Sequence, residues 1–475
     1  GDGRREGLFG PRGALSIEPP AGSLRQRIQR GEWGADEAPL DLPALLEIAA
    51  ENSREVARRK EDLYLTALDV TLERFRFSWI PAAGGDVTAS GSGGEGESVS
   101  GSGGASLSKL LGSGARVLLD VGASFLRLVG NGDGFDVFSD FGMSISQPLL
   151  RGSGRRIVRE PLTQAERNLV YEARSFERFR RTFAVDVVNR MFRVLQQRDI
   201  VRNQTQNAES LKVLRERNQA LAEAGRLSDI QSDQARQDEL RSESRLLDVE
   251  QTLTDRLDDL KFFLGLPIDA PVEITFAELE ELRARRGELF DAYEDDMEEE
   301  QVVGLALERR LDLMTAQDAV TDAERKLYIA KDALRAGMSV FADARASSPA
   351  NKPLSPRMND VDWNVGVDLE LPFGRLPQRN AMRAAEIVLV RAERTATELS
   401  DGIRADLRAL LREARTRRRT WELQQSAVEV AQRRVDSARL YPDPGRADTP
   451  DLLEAQETLL SAQNAATAGE IDYPL

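Results

Sequence analysis

Gln147-Pro148-Leu149-Leu150-Arg151-Gly152 closes a run in which apolar and polar residues alternate, and Glu370-Leu371-Pro372-Phe373-Gly374 closes a second run of the same kind. After each motif comes a long charged stretch that is almost free of Gly and Pro. The first stretch breaks at Ala224-Gly225-Arg226-Leu227-Ser228 and the second at Tyr441-Pro442-Asp443-Pro444-Gly445-Arg446. Motif and break both recur at an offset of about 220 residues, so nearly the whole chain is an internal duplication.

Four runs of about ten residues alternate with period two, which predicts half-buried strands. Their apolar positions are Val117, Leu119, Val121, Ala123 and Phe125; Phe135, Val137, Phe141, Met143 and Ile145; Met338, Val340, Ala342, Ala344 and Ala346; and Val361, Trp363, Val365, Val367, Leu369 and Leu371. Such runs fit either a soluble antiparallel sheet with one wet face or a membrane barrel. Acids on the polar faces, and Trp363 and Phe373 flanking one apolar face, favour the barrel.

Residues 84–114 are rich in Gly and Ser, which predicts a flexible loop holding a short strand at Ser106–Leu111. Residues 79–91 are a further candidate for a membrane segment. The stretches 155–224, 226–264 and 372–445 predict very long helices, which must pack side by side on other long helices. Three- and four-residue spacing indicates a coiled-coil seam at Leu246, Val249, Leu253, Leu257, Leu260 and Leu264. The helices alone would equally suit a solvated coiled-coil structural protein.

Composition limits the chemistry that the chain can carry out. The net charge is −15, which disfavours nucleic acid as a partner, and there is neither Cys nor His. Thiol nucleophiles, imidazole proton shuttles and the usual zinc ligands are therefore missing. Paired acids such as Asp295-Asp296 lie in an acidic run without apolar surroundings that would raise a pKa. We expect no catalytic residues, no metal and no cofactor.

No apolar run approaches 18 residues, so we expect no transmembrane helix. The opening Gly1-Asp2-Gly3-Arg4-Arg5 is polar, and we expect it to be a mature or trimmed end.

The order of these motifs resembles the TolC-like family of outer-membrane efflux proteins over residues 43–475. Besides the motifs at 147–152 and 224–228, the resemblance rests on Phe263-Leu264-Gly265 and on Leu307-Glu308-Arg309-Arg310-Leu311-Asp312-Leu313. The last motif resembles the Arg-Pro-Asp-Leu helix start of the family, with Leu311 in place of Pro. The resemblance implies a mainly α fold with a β-barrel part: a homotrimer with a shared twelve-stranded barrel, continued by a long periplasmic α-helical coiled-coil barrel.

The expected domains follow from the repeat and the resemblance. They are an N-terminal extended arm at 1–42, a first efflux repeat at 43–266, an equatorial segment at 267–303 and a second repeat at 304–475. Within the first repeat we expect strands at about 79–147 and long helices at 153–264; within the second, strands at 338–348 and 361–371 and long helices at 377–470.

The resemblance also implies functional residues. Adaptor-docking tips are expected at Ala224, Gly225, Arg226, Leu227, Pro444 and Gly445. A periplasmic gate is expected at Asp451 and Glu454, with Tyr441 and Arg446 as a latch and Asp229 and Asp233 as the acids of the first copy. The residues expected to face lipid are Leu119, Val121, Phe125, Val137, Phe141, Val365, Val367 and Leu369.

The sequence therefore predicts a passive outer-membrane exit duct of a tripartite efflux or type I secretion system. A periplasmic adaptor would open its tip and link it to an inner-membrane pump that supplies the energy. The alternative is a non-conducting structural protein of the envelope, in which a coiled coil carries a β-sheet head. The expected location is the outer membrane of a diderm bacterium, with most of the mass in the periplasm.

Overall fold

The computed structural model describes residues 40–92, 95–129, 136–275, 299–349, 352, 355, 361–371, 373–440 and 449–472. They fall into two compact units. The first holds the described residues of Gly1–Lys60, Glu177–Glu308 and Gly402–Leu475, and the second holds those of Glu61–Phe176 and Arg309–Asp401.

The described residues are mostly helical. The helices are α1 (Leu42–Asn52), α2 (Arg54–Phe75), α3 (Arg155–Val158), α4 (Glu160–Glu223), α5 (Asp229–Leu264), α6 (Glu299–Arg309), α7 (Leu311–Asp332), α8 (Leu376–Leu440) and α9 (Thr449–Asp472). The strands are β1 (Ile80–Ser92), β2 (Glu95–Leu110), β3 (Arg116–Val129), β4 (Asp136–Pro148), β5 (Gly337–Ser347) and β6 (Val361–Glu370). Among the described residues, no helix has both the length and the apolarity needed to cross a bilayer.

All six strands belong to one sheet, in the order β1-β2-β3-β4-β5-β6, and every neighbouring pair is antiparallel. Strands β3 to β6 lie where the four alternating runs predict them. The prediction of a flexible loop at 84–114 is wrong, because these residues form most of β1 and β2 and the turn after them. The resemblance implies four strands in each chain, whereas the sheet has six.

Two glycines end long helices in the left-handed conformation that Gly adopts without strain. Gly225 (φ 69°) donates to Ala222 O at 2.8 Å, and the N–H of Arg226 donates to Leu221 O at 2.9 Å. Gly265 (φ 76°) caps α5 in the same way, and a Cβ there would collide with the carbonyl of Asn52. These caps explain why both short motifs contain Gly.

The core of the first unit forms where α1, α4 and α5 meet. Its fully buried side chains include Leu45, Met191, Leu195, Leu260 and Leu264. Leu253 and Leu257 are partly buried and pack against this cluster. Of the predicted seam residues, Leu260 is therefore buried within one chain, whereas Leu253 and Leu257 are only partly buried there.

Candidate functional site

The register of the six strands gives the sheet one apolar face from edge to edge, because residues that pair across neighbouring strands point to the same side. One row of paired residues on this face is Pro81, Leu107, Leu119, Met143, Ala344 and Trp363. The next row is Ala83, Ala105, Val121, Phe141, Ala346 and Val361. No charged side chain interrupts these two rows.

All eight residues predicted to face lipid lie on this apolar face. On β6 they are strongly exposed: 61% for Val365, 59% for Val367 and 55% for Leu369, beside Trp363 at 75%. A contiguous exposed apolar surface of this kind marks a binding or membrane-contacting surface.

The opposite face is polar over the same span. A row through the middle of the sheet holds Ala82, Ser106, Asp120, Gly142, Arg345 and Asp362. The carboxylate of Asp120 leans over Gly142 and that of Asp140 over Gly122, so that a Cβ at either glycine would collide with an acid. On the outer strands Ser102 donates to Asp86. The sheet therefore has one mostly apolar side and one side that carries several acids, together with the apolar residues Leu118 and Phe138.

The two copies of the repeated motif meet where β4 and β6 end. Arg151 forms an ion pair with Glu370, and its N–H donates to Ala336 O at 3.2 Å. Beside them, the N–H of Leu149 donates to Met338 O at 2.7 Å. The repeated motifs thus fasten the two halves of the sheet to each other.

The turn between β2 and β3 is fixed to the same place. Ser113 Oγ donates to Gln147 Oε1 at 2.8 Å, and Gly154 N–H donates to Ser113 O at 3.2 Å. Gly114 (φ 97°) approaches Pro148 and Val158 so closely that an added Cβ would lie 3.1 Å from Pro148 Cγ. Only a residue without a side chain fits there.

The predicted tip of the first copy is an exposed helix turn between α4 and α5. Ala224, Gly225 and Arg226 are exposed, and Leu227 is half-buried. Ser228 begins α5 by accepting a hydrogen bond from the N–H of Gln231 at 3.4 Å. A Cβ added at Gly225 would meet no neighbouring atom within 4 Å, so the surface around this glycine is open. The tip residues Pro444 and Gly445, and the latch residues Tyr441 and Arg446, lie outside the described residues.

The predicted gate acids lie on exposed helix surfaces. Asp451 and Glu454 are exposed on α9, and Glu454 accepts from Arg434 of α8 at 3.1 Å. Leu453, between them, packs on Leu211 and Leu214 of α4.

Asp229 and Asp233 are exposed at the start of α5. Within the described part of the chain, no hydrogen bond or ion pair joins these two acids to those of the second copy.

A buried polar cluster that the sequence did not reveal lies between α4 and α7 in the second unit. Asp322 accepts from the hydroxyl of Tyr171 at 2.7 Å and from Arg325 at 2.8 Å, and it also pairs with Arg167. Arg325 in turn binds Glu160 at 3.0 Å.

The cluster shifts the pKa of four of its members, and the hydrogen bonds and acids around Arg167 and Arg325 raise the pKa of both guanidinium groups despite their burial. Burial would raise the pKa of Asp322, but hydrogen bonds from Tyr171 and Gln164 and the charges of Arg167 and Arg325 outweigh it and hold that pKa below its ordinary value. Burial and the bond to Asp322 raise the pKa of Tyr171 to about 12, so its hydroxyl remains a donor. One sequence signal could have indicated this cluster: Asp322 and Arg325 are three residues apart on one predicted helix, and another predicted helix carries charged residues that can pair with them.

Neither a protein-family model nor a curated protein sequence matches the chain. Solved structures do match it over most of its length. The outer membrane protein VceC of Vibrio cholerae aligns over 96% of both chains with a TM-score of 0.67 at 15% identity. The CmeC outer membrane channel of Campylobacter jejuni aligns over 97% of this chain and 88% of its own, with a TM-score of 0.64 at 14% identity.

The MtrE outer membrane channel of Neisseria gonorrhoeae aligns over 91% of this chain and 86% of its own, with a TM-score of 0.61 at 12% identity. At these identities the likeness establishes the fold. The TolC-like fold that the repeated motifs predict is confirmed, as a mainly helical fold with a β-sheet part.

Proposed function

We propose that this chain, which has the fold of outer-membrane channels, forms a homotrimeric exit duct in the outer membrane of a diderm bacterium. The observation that carries the proposal is the sheet with one apolar and one polar face. In lipid, every backbone polar group must be paired within the protein, and a closed barrel does this for strands. A barrel also needs lipid on one side and water on the other, and the two faces meet that need.

The helices provide the part of the duct that lies in the periplasm. Long helices packed side by side form a tunnel wall, with charged residues toward water and seams such as Leu253, Leu257 and Leu260 between neighbours. The duct is passive and makes or breaks no bonds. A pump in the inner membrane drives export, as part of a tripartite efflux or type I secretion system.

A periplasmic adaptor docks at the helix-turn tips. The exposed turn at Ala224–Leu227 supports this role, because open backbone and small side chains let a partner helix pair approach closely. Gly225→Trp should therefore abolish adaptor binding in a pull-down while the trimer persists. Arg217→Ala, farther along α4, serves as the matched control. Undiminished binding by Gly225→Trp would contradict docking at this turn.

The rival function, a non-conducting scaffold with a β-sheet head, requires a partner for only one face of the sheet. An apolar face that continues through both edge strands instead favours a surface surrounded by lipid. The two functions separate cleanly in planar bilayers. A duct should be recovered from outer-membrane fractions as a threefold particle and should conduct ions. A purified trimer that inserts into the bilayer without conducting would establish the scaffold.

A further inference from the structure

Within the described residues, the sheet is open at both of its edge strands, β1 and β6. β1 and β6 each pair with a single neighbour, so each leaves one row of backbone N–H and C=O groups without a partner strand in the described sheet. Unpaired edges attract further strands, and inside a bilayer each unsatisfied group costs several kcal/mol. Under the proposed function, some strand must cover both edges.

A barrel with four strands from each chain would need the outer edge of β3 to be free. That edge is already taken, because β2 pairs with β3 from Glu97↔Val129 to Leu110↔Arg116 without a register shift. β1 pairs with β2 over a comparable length, from Ile80↔Ser108 to Ser90↔Ser98. Closing the barrel at β3 would break one of these ladders completely.

The two additional strands also have the composition of barrel strands. Toward the apolar face β1 presents Pro81, Ala83, Gly85, Val87 and Ala89, and toward the polar face it presents Ala82, Gly84, Asp86, Thr88 and Ser90. β2 alternates in the same phase, with Phe125 of β3 covering Gly101 on the apolar side. Except for Lys109 near the end of β2, the side chains that the structure describes on the apolar face of the hairpin are uncharged, in step with the other four strands. A hairpin projecting into water would have no reason to keep this alternation.

Strand direction identifies the partner. Successive strands alternate in direction, so β1 and β6, the first and last of six, are antiparallel. The β1 edge of one chain therefore fits the β6 edge of another as an ordinary antiparallel neighbour, with apolar and polar faces continuing across the joint.

We propose that β1 pairs with β6 of a second copy and that three copies close an eighteen-stranded barrel; this proposal rests on the proposed function. Barrel diameter grows roughly linearly with strand number, so this barrel is about 1.5 times as wide as a twelve-stranded one. Barrels of 16–18 strands leave a water-filled channel. The polar face of the two additional strands, with Asp86, Thr88 and Ser90, then lines part of that channel.

Cysteine cross-linking tests the pairing directly, since the chain contains no Cys. Asn364→Cys on the polar face of β6 is combined, one at a time, with Cys at Ala82, Gly84, Asp86, Thr88 or Ser90 on the polar face of β1. Paired residues on neighbouring strands lie about 5 Å apart at Cβ, within reach of a short thiol cross-linker. At least one combination should convert the detergent-extracted protein into covalent trimers.

Two control pairs place Asn364→Cys with Ser106→Cys on β2 and with Ser124→Cys on β3. Neither should cross-link, and linkage to Ser124→Cys would show closure at four strands per chain and overturn the proposal. A conducting trimer without any β1–β6 cross-link would also overturn it, while the duct function stands. Failure to conduct or to reach the outer membrane would overturn the duct and the barrel together. Imaging of the particle gives a second readout, because a barrel of twelve-strand width contradicts the proposal without any substitution.

Discussion

Arg151 and Glu370, which lie 219 positions apart, bind each other where β4 and β6 end. Each belongs to one copy of the repeated motif, so the duplication in the sequence is also a contact in the fold. Arg151 is one-third exposed and Glu370 is 60% exposed, and water therefore weakens the attraction between their charges.

Because the pair is exposed, we expect it to orient the motifs more than it stabilises them. In a double-mutant cycle with Arg151→Ala and Glu370→Ala, the coupling free energy should be about 1 kcal/mol or less. Thermal unfolding of the four proteins measures it. The exchanged pair, Arg151→Glu with Glu370→Arg, should recover most of the coupling. A coupling of several kcal/mol would mean that the site is dry in the assembled protein.

Charge on the two faces of β6 should have unequal effects. Val365→Arg on the apolar face should cost about 2–4 kcal/mol if it lies near the middle of the bilayer. Asn364→Arg, its neighbour on the polar face, should cost much less because its side chain reaches water. Folding into lipid vesicles along a urea series compares the two. Equal costs would contradict the barrel.

Burial of the seam in the first unit should be visible in stability. Leu260 is 1% exposed among the residues of the core, whereas Leu247 on the same helix is 67% exposed. Leu260→Ala should lower the free energy of unfolding by about 2–5 kcal/mol through lost packing and a cavity. Leu247→Ala should change it by about 0.5 kcal/mol or less in the isolated protomer. A large loss for Leu247→Ala only in the trimer would place that residue against a neighbouring copy.

The buried acid between α4 and α7 predicts sensitivity to low pH. Because the pKa of Asp322 is lowered in the folded protein, its charge contributes stability above the ordinary carboxyl pKa, and that contribution is lost as the pH falls through the folded value. Asp322→Asn should destabilise the protein at pH 7, by up to about 3–5 kcal/mol, since it removes the buried charge that Arg167 and Arg325 share and leaves them only Asp318 and Glu160 as ion-pair partners. It should also flatten the decline of the melting temperature toward acid.

Glu413→Gln provides the matched control for Asp322→Asn, because Glu413 forms an exposed ion pair with Arg417. Its stability should follow the pH dependence of the parent protein. An unchanged acid slope in Asp322→Asn would show that other carboxyls set the acid stability.

The gate remains a prediction that electrical recording can test. Asp451 and Glu454, repeated around a threefold axis, should attract cations, and multivalent cations should block the opening. Replacing both with Ala should weaken block by divalent or trivalent cations and reduce cation selectivity in planar bilayers. The double variant Asp229→Ala, Asp233→Ala is the counterpart in the first copy. If only that variant loses block, the gate lies at the start of α5.

The sequence predicts the elements with the strongest periodicity and misses the weakest. β3 to β6 were predictable because Val, Leu, Phe and Trp alternate with Asp and Ser. β1 and β2 were not, since Gly, Ala and Ser differ too little in polarity for their alternation to stand out from a linker. These two strands form because β1 pairs with β2 and β2 pairs with β3, a tertiary effect that composition does not encode.

The candidate site divides in the same way. The tip at Gly225 was predictable because a glycine after a long helix indicates a left-handed cap. The cluster around Asp322 was not, because one of the bonds that hold it joins Tyr171 to a residue 151 positions away. The gate could not be predicted with the same certainty, because a ring of Asp451 and Glu454 forms only when three copies assemble around a common axis.

The join between β4 and β5 has a consequence for the order in which the protein matures. β1 to β4 are consecutive in the chain, but β4 finds its partner at residues such as Ser347, paired with Asp140 from the other half. Contacts so distant in sequence form slowly, because a long loop must close before they are made. Before the second half folds, the first half therefore exposes the edge of β4 and an apolar face. We expect its transport through the envelope to depend on a chaperone that covers this edge until β5 pairs with β4.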